Sequence, residues 1–262
     1  VVSRSSIVFV SDLHFGLPVD RGERQRRDSF LRFLVAIRGV ERLVIAGDLF
    51  QFWFDLGATI PQGHFDILRG LATLRESGTT VDYLAGNHDY WRGPFFGREL
   101  GIAVHAGDLS VETQGRRILV KHGDGAGPGD LGYKLFKRFA RHPLSIAAAR
   151  LVHPDLLLAV ARRLDRASHQ TSSQQLPDRR RLLAAAHQAW AAGFDALIMG
   201  HVHVQLLEDI DGKQLCVIGD WLTLRSFVTL HDGRLTAGRW EDEPRAPGTS
   251  TQQRDPAAFR PA

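Results

Sequence analysis

Cysteine is almost absent: Cys216 stands alone in 262 residues. One thiol closes no intramolecular disulfide and supplies no Cys-rich zinc module, and its solitude points to a reducing compartment. No apolar run approaches the ~18 residues of a membrane-spanning helix, and the first residues carry no signal-peptide pattern. Charge of one sign is scarce too. The chain has 33 Lys and Arg against 29 Asp and Glu, a net +4, which averaged over the surface does not argue for nucleic acid. Aromatics at base-stacking spacing are missing. No Gly-x-Ser-x-Gly elbow occurs, so Ser3, Ser5 and Ser6 suggest no nucleophile. With 44% hydrophobic and 24% charged residues, the chain can bury a sizeable core, and a wholly disordered chain is excluded.

Histidine is where the sequence becomes specific. Five of the twelve histidines stand in short polar phrases, each after an apolar run that reads as a buried strand. Residues 7–10 lead into Ser11-Asp12-Leu13-His14, and 43–46 into Gly47-Asp48. Residues 81–85 lead into Gly86-Asn87-His88-Asp89, 118–121 into His122-Gly123-Asp124, and 196–199 into Gly200-His201-Val202-His203. Amphipathic stripes at 27–38, 63–77 and 177–193 predict helices between the strands. The alternation argues for an α/β fold with much parallel sheet, whose C-terminal strand ends are the usual place for ligands. After Gly200 the pattern changes to two predicted hairpins. Residues 205–210 and 214–218 flank Asp211-Gly212, and 225–230 and 235–240 flank Asp232-Gly233.

An isolated Gly-Asp or Gly-Asn pair is usually only a turn, and a lone histidine is usually not a ligand. Five such phrases at five strand ends are a different matter. Asp, His and Asn without Cys form a hard-to-borderline donor set, suited to Mn, Fe, Zn, Co or Mg. Asp12, His14, Asp48, Asn87, His122, His201 and His203 are seven candidates, too many for one catalytic ion with an open position. Shared between two ions with one bridging carboxylate, they leave room for water and suit in-line displacement at phosphorus.

The ordered set, spanning Ser11 to His203, resembles the calcineurin-like metallophosphoesterase superfamily. That resemblance implies a sandwich of two mixed β-sheets flanked by helices, with a dinuclear centre at the strand ends. It would place Asp12, His14 and His203 on one ion, Asn87, His122 and His201 on the other, and Asp48 between them. His88 would contact the substrate phosphate and protonate the leaving group, with Asp89 orienting it. The surroundings are closer still to the UDP-2,3-diacylglucosamine hydrolases of lipid A biosynthesis. Gly47-Asp48-Leu49-Phe50-Gln51-Phe52-Trp53 resembles their GDLF-x-x-W phrase, and Gly129-Asp130-x-Gly132-Tyr133-Lys134 follows His122-Gly123-Asp124 as it does there. The resemblance implies two divalent ions, Mn²⁺ foremost, and release of UMP and 2,3-diacylglucosamine 1-phosphate. Asp130 and Tyr133 are candidate substrate contacts from the Gly-Asp-x-Gly-Tyr match, and Arg166 and Ser168 are the nearest polar candidates late in the insertion. Three departures stand out: His88 replaces the Arg of enterobacterial members, Gln51 replaces a frequent acidic residue, and residues 167–175 carry no lysine where the family grips substrate phosphate.

About seventy residues separate Asp124 from the strand at 196. They are read as a helical cap insertion at about 130–175 within a single domain, 1–241, with 242–262 as a disordered tail. The cap carries eight Lys and Arg against three Asp, a surplus of five that exceeds that of the whole chain. An apolar insertion with basic flanks suits a nucleotide-linked lipid and an anionic inner-membrane surface, with the protein cytoplasmic and peripheral. A helical hairpin packed on the core with a solvated basic face is the alternative. At the level of function, a phosphoesterase of another phosphodiester, nucleotide diphosphate or hydrophobic substrate stays open, as does a metal-free scaffold. Arg24, Arg26, Arg27 and Arg179–Arg181 read as solvated helix starts. Phe52, Trp53, Phe54, Phe95 and Phe96 fit either core or substrate wall, and Trp91 shares the second reading.

Overall fold

The computed structural model describes residues 3–55, 59–88, 93–124 and 178–242, together with Val152, His153, Leu156, Ala159 and Arg163. Two mixed sheets form the centre. The first has β1 (Ile7–Val10), β2 (Arg42–Ile45), β3 (Thr80–Leu84) and β4 (Ala103–His105) in parallel. The second has β5 (Leu109–Thr113), β6 (Arg116–Lys121), β7 (Ala196–Met199), β8 (Leu206–Ile210) and β9 (Lys213–Val217), in the order β5-β6-β7-β9-β8 with β6, β7 and β9 parallel. β10 (Ser226–His231) and β11 (Arg234–Arg239) extend the first sheet by antiparallel pairing beside β1.

Alternate residues of a strand face opposite sides, and both sides are covered here, which explains why β1 and β7 are apolar throughout. Ile7, Phe9, Val44 and Ala46 face Ile118, Val120, Ala196, Ile198 and Cys216 between the sheets. Val8, Val10, Leu43, Ile45, Val81 and Tyr83 point the other way, onto Phe30, Phe33, Ile67, Leu68 and Leu71. Those come from α1 (Arg21–Ala36) and α2 (Phe65–Glu76). On the far side, Leu197, Met199, Leu215 and Val217 pack on Leu182, Ala186, Ala189 and Trp190. The last four lie on a later helix, Arg179–Ala191. The result is helix, sheet, sheet, helix, as expected.

Differences from the sequence reading have local causes. α1 starts six residues before the predicted stripe, because Asp20 caps it by accepting from the Glu23 N–H at 2.8 Å. Its first turns carry no apolar residue to reveal them. α3 (Phe95–Leu100) and β4 are too short to show a period, so the later helix is α4. The β5–β6 hairpin turns at Gln114 (φ 49°) and Gly115 (φ 71°), the left-handed pair also found at Asp211-Gly212 and Asp232-Gly233. Gln in the first position hides the signal. The proposed cap (about 130–175) and tail (242–262) fall outside the described residues except for Asp242 and the few named above.

Candidate metal centre

β1, β2 and β3 of one sheet and β6 and β7 of the other end at the same edge, and the polar phrases that follow them converge there. Five residues of that convergence hold left-handed backbone: Asp12 (φ 53°), His14 (46°), Asp48 (52°), His201 (67°) and His203 (54°). Such conformations cost energy in non-glycine residues and persist only where the surroundings over-determine them. Here the neighbouring loop supplies the constraint. Asp12 N–H donates to the Gly47 carbonyl at 3.2 Å, His14 N–H to Asp48 at 2.9 Å and Phe15 N–H to Leu49 at 3.1 Å.

The glycines of the phrases have a packing role. A Cβ on Gly47 would overlap the His122 ring, and one on Gly86 would overlap the Asp48 carboxylate. Glycine there lets one strand end bring its backbone against a donor from the next.

Asp12 and Asp48 are buried at the centre. His14 Nε2 lies 3.6 Å from Asp12 Oδ1 and 3.7 Å from Asp48 Oδ2. His203 Nε2 is 3.3 Å from Asp12 Oδ1, and His122 Nε2 is 3.3 Å from Asp48 Oδ2. Donors bound at about 2.1 Å to one ion sit about 3.0–3.5 Å apart, so the spacing is that of a coordination shell. Three overlapping groups result: Asp12, Asp48, His122 and His201 in the first, Asp12, His14 and His203 in the second, and His14, Asp48 and His88 in the third. Asn87 Oδ1 meets His122 Nε2 at 2.8 Å, which adds it to the first group.

Hydrogen bonds fix how the donors face. His122 Nδ1 must donate to the Ala46 carbonyl, 2.8 Å away, because a carbonyl only accepts. Its Nε2 is thereby turned toward Asp48 and Asn87, with oxygen on both sides. Asp12 Oδ2 accepts from Ser11 Oγ at 2.5 Å and from the His201 N–H at 2.7 Å. Its other oxygen, Oδ1, is buried and accepts no hydrogen bond among the described residues. A buried carboxylate oxygen aimed at imidazole nitrogens fits a cation.

The titration behaviour agrees. Burial alone would raise the Asp12 and Asp48 carboxyls, yet the surrounding histidines hold both well below the usual range. Burial would lower His122, but the Asp48 charge beside it pushes it up to about 9. Burial, followed by the charge on His122, lowers His201 to about 4. The field of two buried carboxylates thus favours positive charge at this point, whether proton or metal ion.

His88 sits at the rim, its ring 4.8 Å from that of His14. Its N–H donates to Asp48 Oδ1 at 2.8 Å, and its Nδ1 donates to the Gln51 carbonyl at 3.0 Å. The seven expected ligands and His88 are therefore together. Asp89, Asp130, Tyr133, Arg166 and Ser168 lie outside the described residues. Trp53, Phe54 and Phe96 are buried in the core, which settles them as packing residues. Arg179–Arg181 are exposed, with Arg179 paired to Glu208. Arg26 and Arg27, expected to be solvated, are not: Arg27 is 1% exposed, because carbonyls and carboxylates surround its guanidinium.

Asp220 joins the site without any histidine beside it in sequence. It is buried after β9, with Oδ2 3.9 Å from His203 Nδ1. Its Gly219-Asp220 repeats the Gly-Asp signal of the other strand ends.

Residues 5–205 match the family model described as calcineurin-like phosphoesterase. A UDP-2,3-diacylglucosamine hydrolase of Porphyromonas gingivalis is 28% identical over 261 residues, 91% of this chain and 99% of its own. One from Stutzerimonas stutzeri is 31% identical over 229 residues, 82% and 90% of the two chains. Among solved structures, an archaeal phosphodiesterase is 14% identical with a TM-score of 0.46, covering 88% of this chain and 98% of that one.

Proposed function

The chain belongs to the calcineurin-like phosphoesterase family and is a hydrolase, and on that premise we propose that it cleaves the diphosphate of UDP-2,3-diacylglucosamine. The products are UMP and 2,3-diacylglucosamine 1-phosphate, an intermediate of lipid A biosynthesis. One observation carries the catalytic part: donors from both sheets stand at ligand spacing around Asp12 and Asp48. The substrate is supported by the name the curated relatives share over most of this chain.

Asp12, His14 and His203 would hold one divalent ion, Asn87, His122 and His201 the other, and Asp48 would serve both; Mn²⁺ is the metal assigned. When bound, such ions would acidify a water and offset charge on the phosphoryl oxygens; the products named above place the attack at the α-phosphorus. The protein's own groups orient and protonate. Ser11 and the His201 N–H hold one Asp12 oxygen and leave the other for ligation. The Ala46 carbonyl keeps the His122 proton on Nδ1. His88 contacts the phosphate and lends a proton to the leaving oxygen. The Gln51 carbonyl accepts from its Nδ1 and so fixes the orientation of the ring, and Asp89 is assigned a share in orienting it.

The insertion at about 130–175 covers the acyl chains, with Asp130, Tyr133, Arg166 and Ser168 at the sugar and phosphates. Its basic surplus seats the protein on the cytoplasmic face of the inner membrane. No helix among the described residues is long and apolar enough to cross one.

Release of UMP, followed chromatographically with Mn²⁺ present, tests the reading. The acylated UDP-sugar should be turned over, its deacylated counterpart should be a much poorer substrate, and Asp48→Ala should yield no UMP. Equal turnover of both sugars removes the acyl-binding cap from the account.

A further inference from the structure

Three side chains on the first turns of α1 reach back across the loop that follows β1. Arg26 spans two successive carbonyls, Nη1 donating to Leu13 at 2.5 Å and Nη2 to His14 at 2.9 Å. Glu23 pairs with Arg26, accepts from Arg27 Nε at 2.8 Å and accepts from the Gly16 N–H at 3.0 Å. Arg27 donates to the Gly16 carbonyl at 2.8 Å and is anchored behind by Gly63, Asp66 and His64. The arginine ends also lie over the Phe15 ring, 5.3 and 5.7 Å from its centroid.

The loop so held is the one that carries Asp12 and His14. Two left-handed non-glycine residues within three positions are strained. Their N–H groups are fixed from one side by the loop after β2. The carbonyls of Leu13 and His14 need a donor on the opposite side, and the fork of Arg26 supplies it. A planar guanidinium can meet two carbonyls at once, whereas a lysine ammonium offers one point of charge.

We propose that Arg26 is a positioning residue for the ion held by Asp12, His14 and His203. Its bonds to the Leu13 and His14 carbonyls keep the turn in the backbone that brings both side chains to that ion. Glu23 and Arg27 hold Arg26 in place. The inference rests on the metal-centre reading above.

The test uses the full chain, stripped of metal and titrated calorimetrically with Mn²⁺, as wild type, Arg26→Gln and Arg26→Lys. Loss of an outer partner of a metal ligand costs about 10- to 100-fold in affinity. One of two Mn²⁺ ions should therefore bind that much more weakly in Arg26→Gln, the other holding near its wild-type affinity, with Arg26→Lys between. Unfolding in EDTA should shift less than unfolding in saturating Mn²⁺, because the apo chain has no ion to lose. If Arg26→Gln does not fold, Arg26→Lys is judged by the same criterion. Two ions bound with wild-type affinity by the folded variants would overturn the inference and leave the metal centre standing. Equal weakening of both ions would also overturn it, since that is general loosening. A wild type that takes up no Mn²⁺ would overturn the inference and the metal-centre reading together.

Discussion

Acidification should loosen this protein through His64, a buried histidine that is not among the ligands. His64 is 1% exposed, with its ring 4.2 Å from that of Phe50. Arg27 Nη2 lies 3.0 Å from its Nδ1. A guanidinium only donates, so Nδ1 accepts and the proton sits on Nε2. A second proton would set N–H against N–H beside a positive charge. Burial first, and the Arg27 charge second, lower the group from 6.5 to about 3. The unfolded chain therefore takes up a proton below pH 6.5 that the folded chain refuses. Stability is fully present above that pH and is lost as pH falls toward 3. Each pH unit in the window is worth about 1.4 kcal/mol, so about 2 kcal/mol should go between about pH 6 and about pH 4.5. Urea unfolding in EDTA across that range, wild type against His64→Gln, isolates the contribution. The amide can still accept from Arg27 but has no proton to gain, and the metal-site histidines titrate in both proteins and cancel. The variant should lose about one proton's worth of slope. Parallel curves would refute the reasoning.

Three further outcomes follow from the site. His88→Ala removes the proposed proton donor, and kcat should fall by about 10²–10⁴ while Mn²⁺ stoichiometry holds; a normal kcat removes His88 from catalysis. Gly86→Ala forces a methyl into the Asp48 carboxylate and should cost about 1–3 kcal/mol, read as a lower urea midpoint together with weaker Mn²⁺ binding. Unchanged metal affinity would show that the close approach is not needed for ligation. Chelation followed by dialysis should abolish UMP release and Mn²⁺ should restore it; activity persisting in the metal-free protein would exclude a role for divalent ions.

Much of this was legible in the chain because strand ends carry the chemistry. Two of the ligand phrases follow runs, Ile7–Val10 and Ala196–Met199, that are buried on both faces and therefore apolar at every position. That continuous signal locates the C-terminal end, and the Gly-Asp or Gly-His that follows marks the site. Asp211-Gly212 and Asp232-Gly233 announced their hairpins for the same reason, since left-handed pairs need those residues. The alternating Leu109–Thr113 strand did not stand out, because its turn places Gln114 where Asn or Asp would have signalled. The arginines of α1 misled for a different reason. Arginine is mostly exposed, and nothing nearby in sequence shows that the carbonyls of Leu13, His14 and Gly16 will fold against Arg26 and Arg27. Asp220 escaped likewise: its relation to His203 exists only once β9 is paired with β7.

Attack at the α-phosphorus, with the lipid phosphate as the leaving group and UMP gaining the oxygen of water, is the central claim, and an isotope experiment tests it most directly. The full chain is incubated with Mn²⁺ and UDP-2,3-diacylglucosamine in ¹⁸O-water, and both products are weighed by mass spectrometry after less than one turnover. The account predicts one heavy oxygen in UMP and none in the diacylglucosamine 1-phosphate. Label in the lipid phosphate, or no cleavage at all, would contradict it.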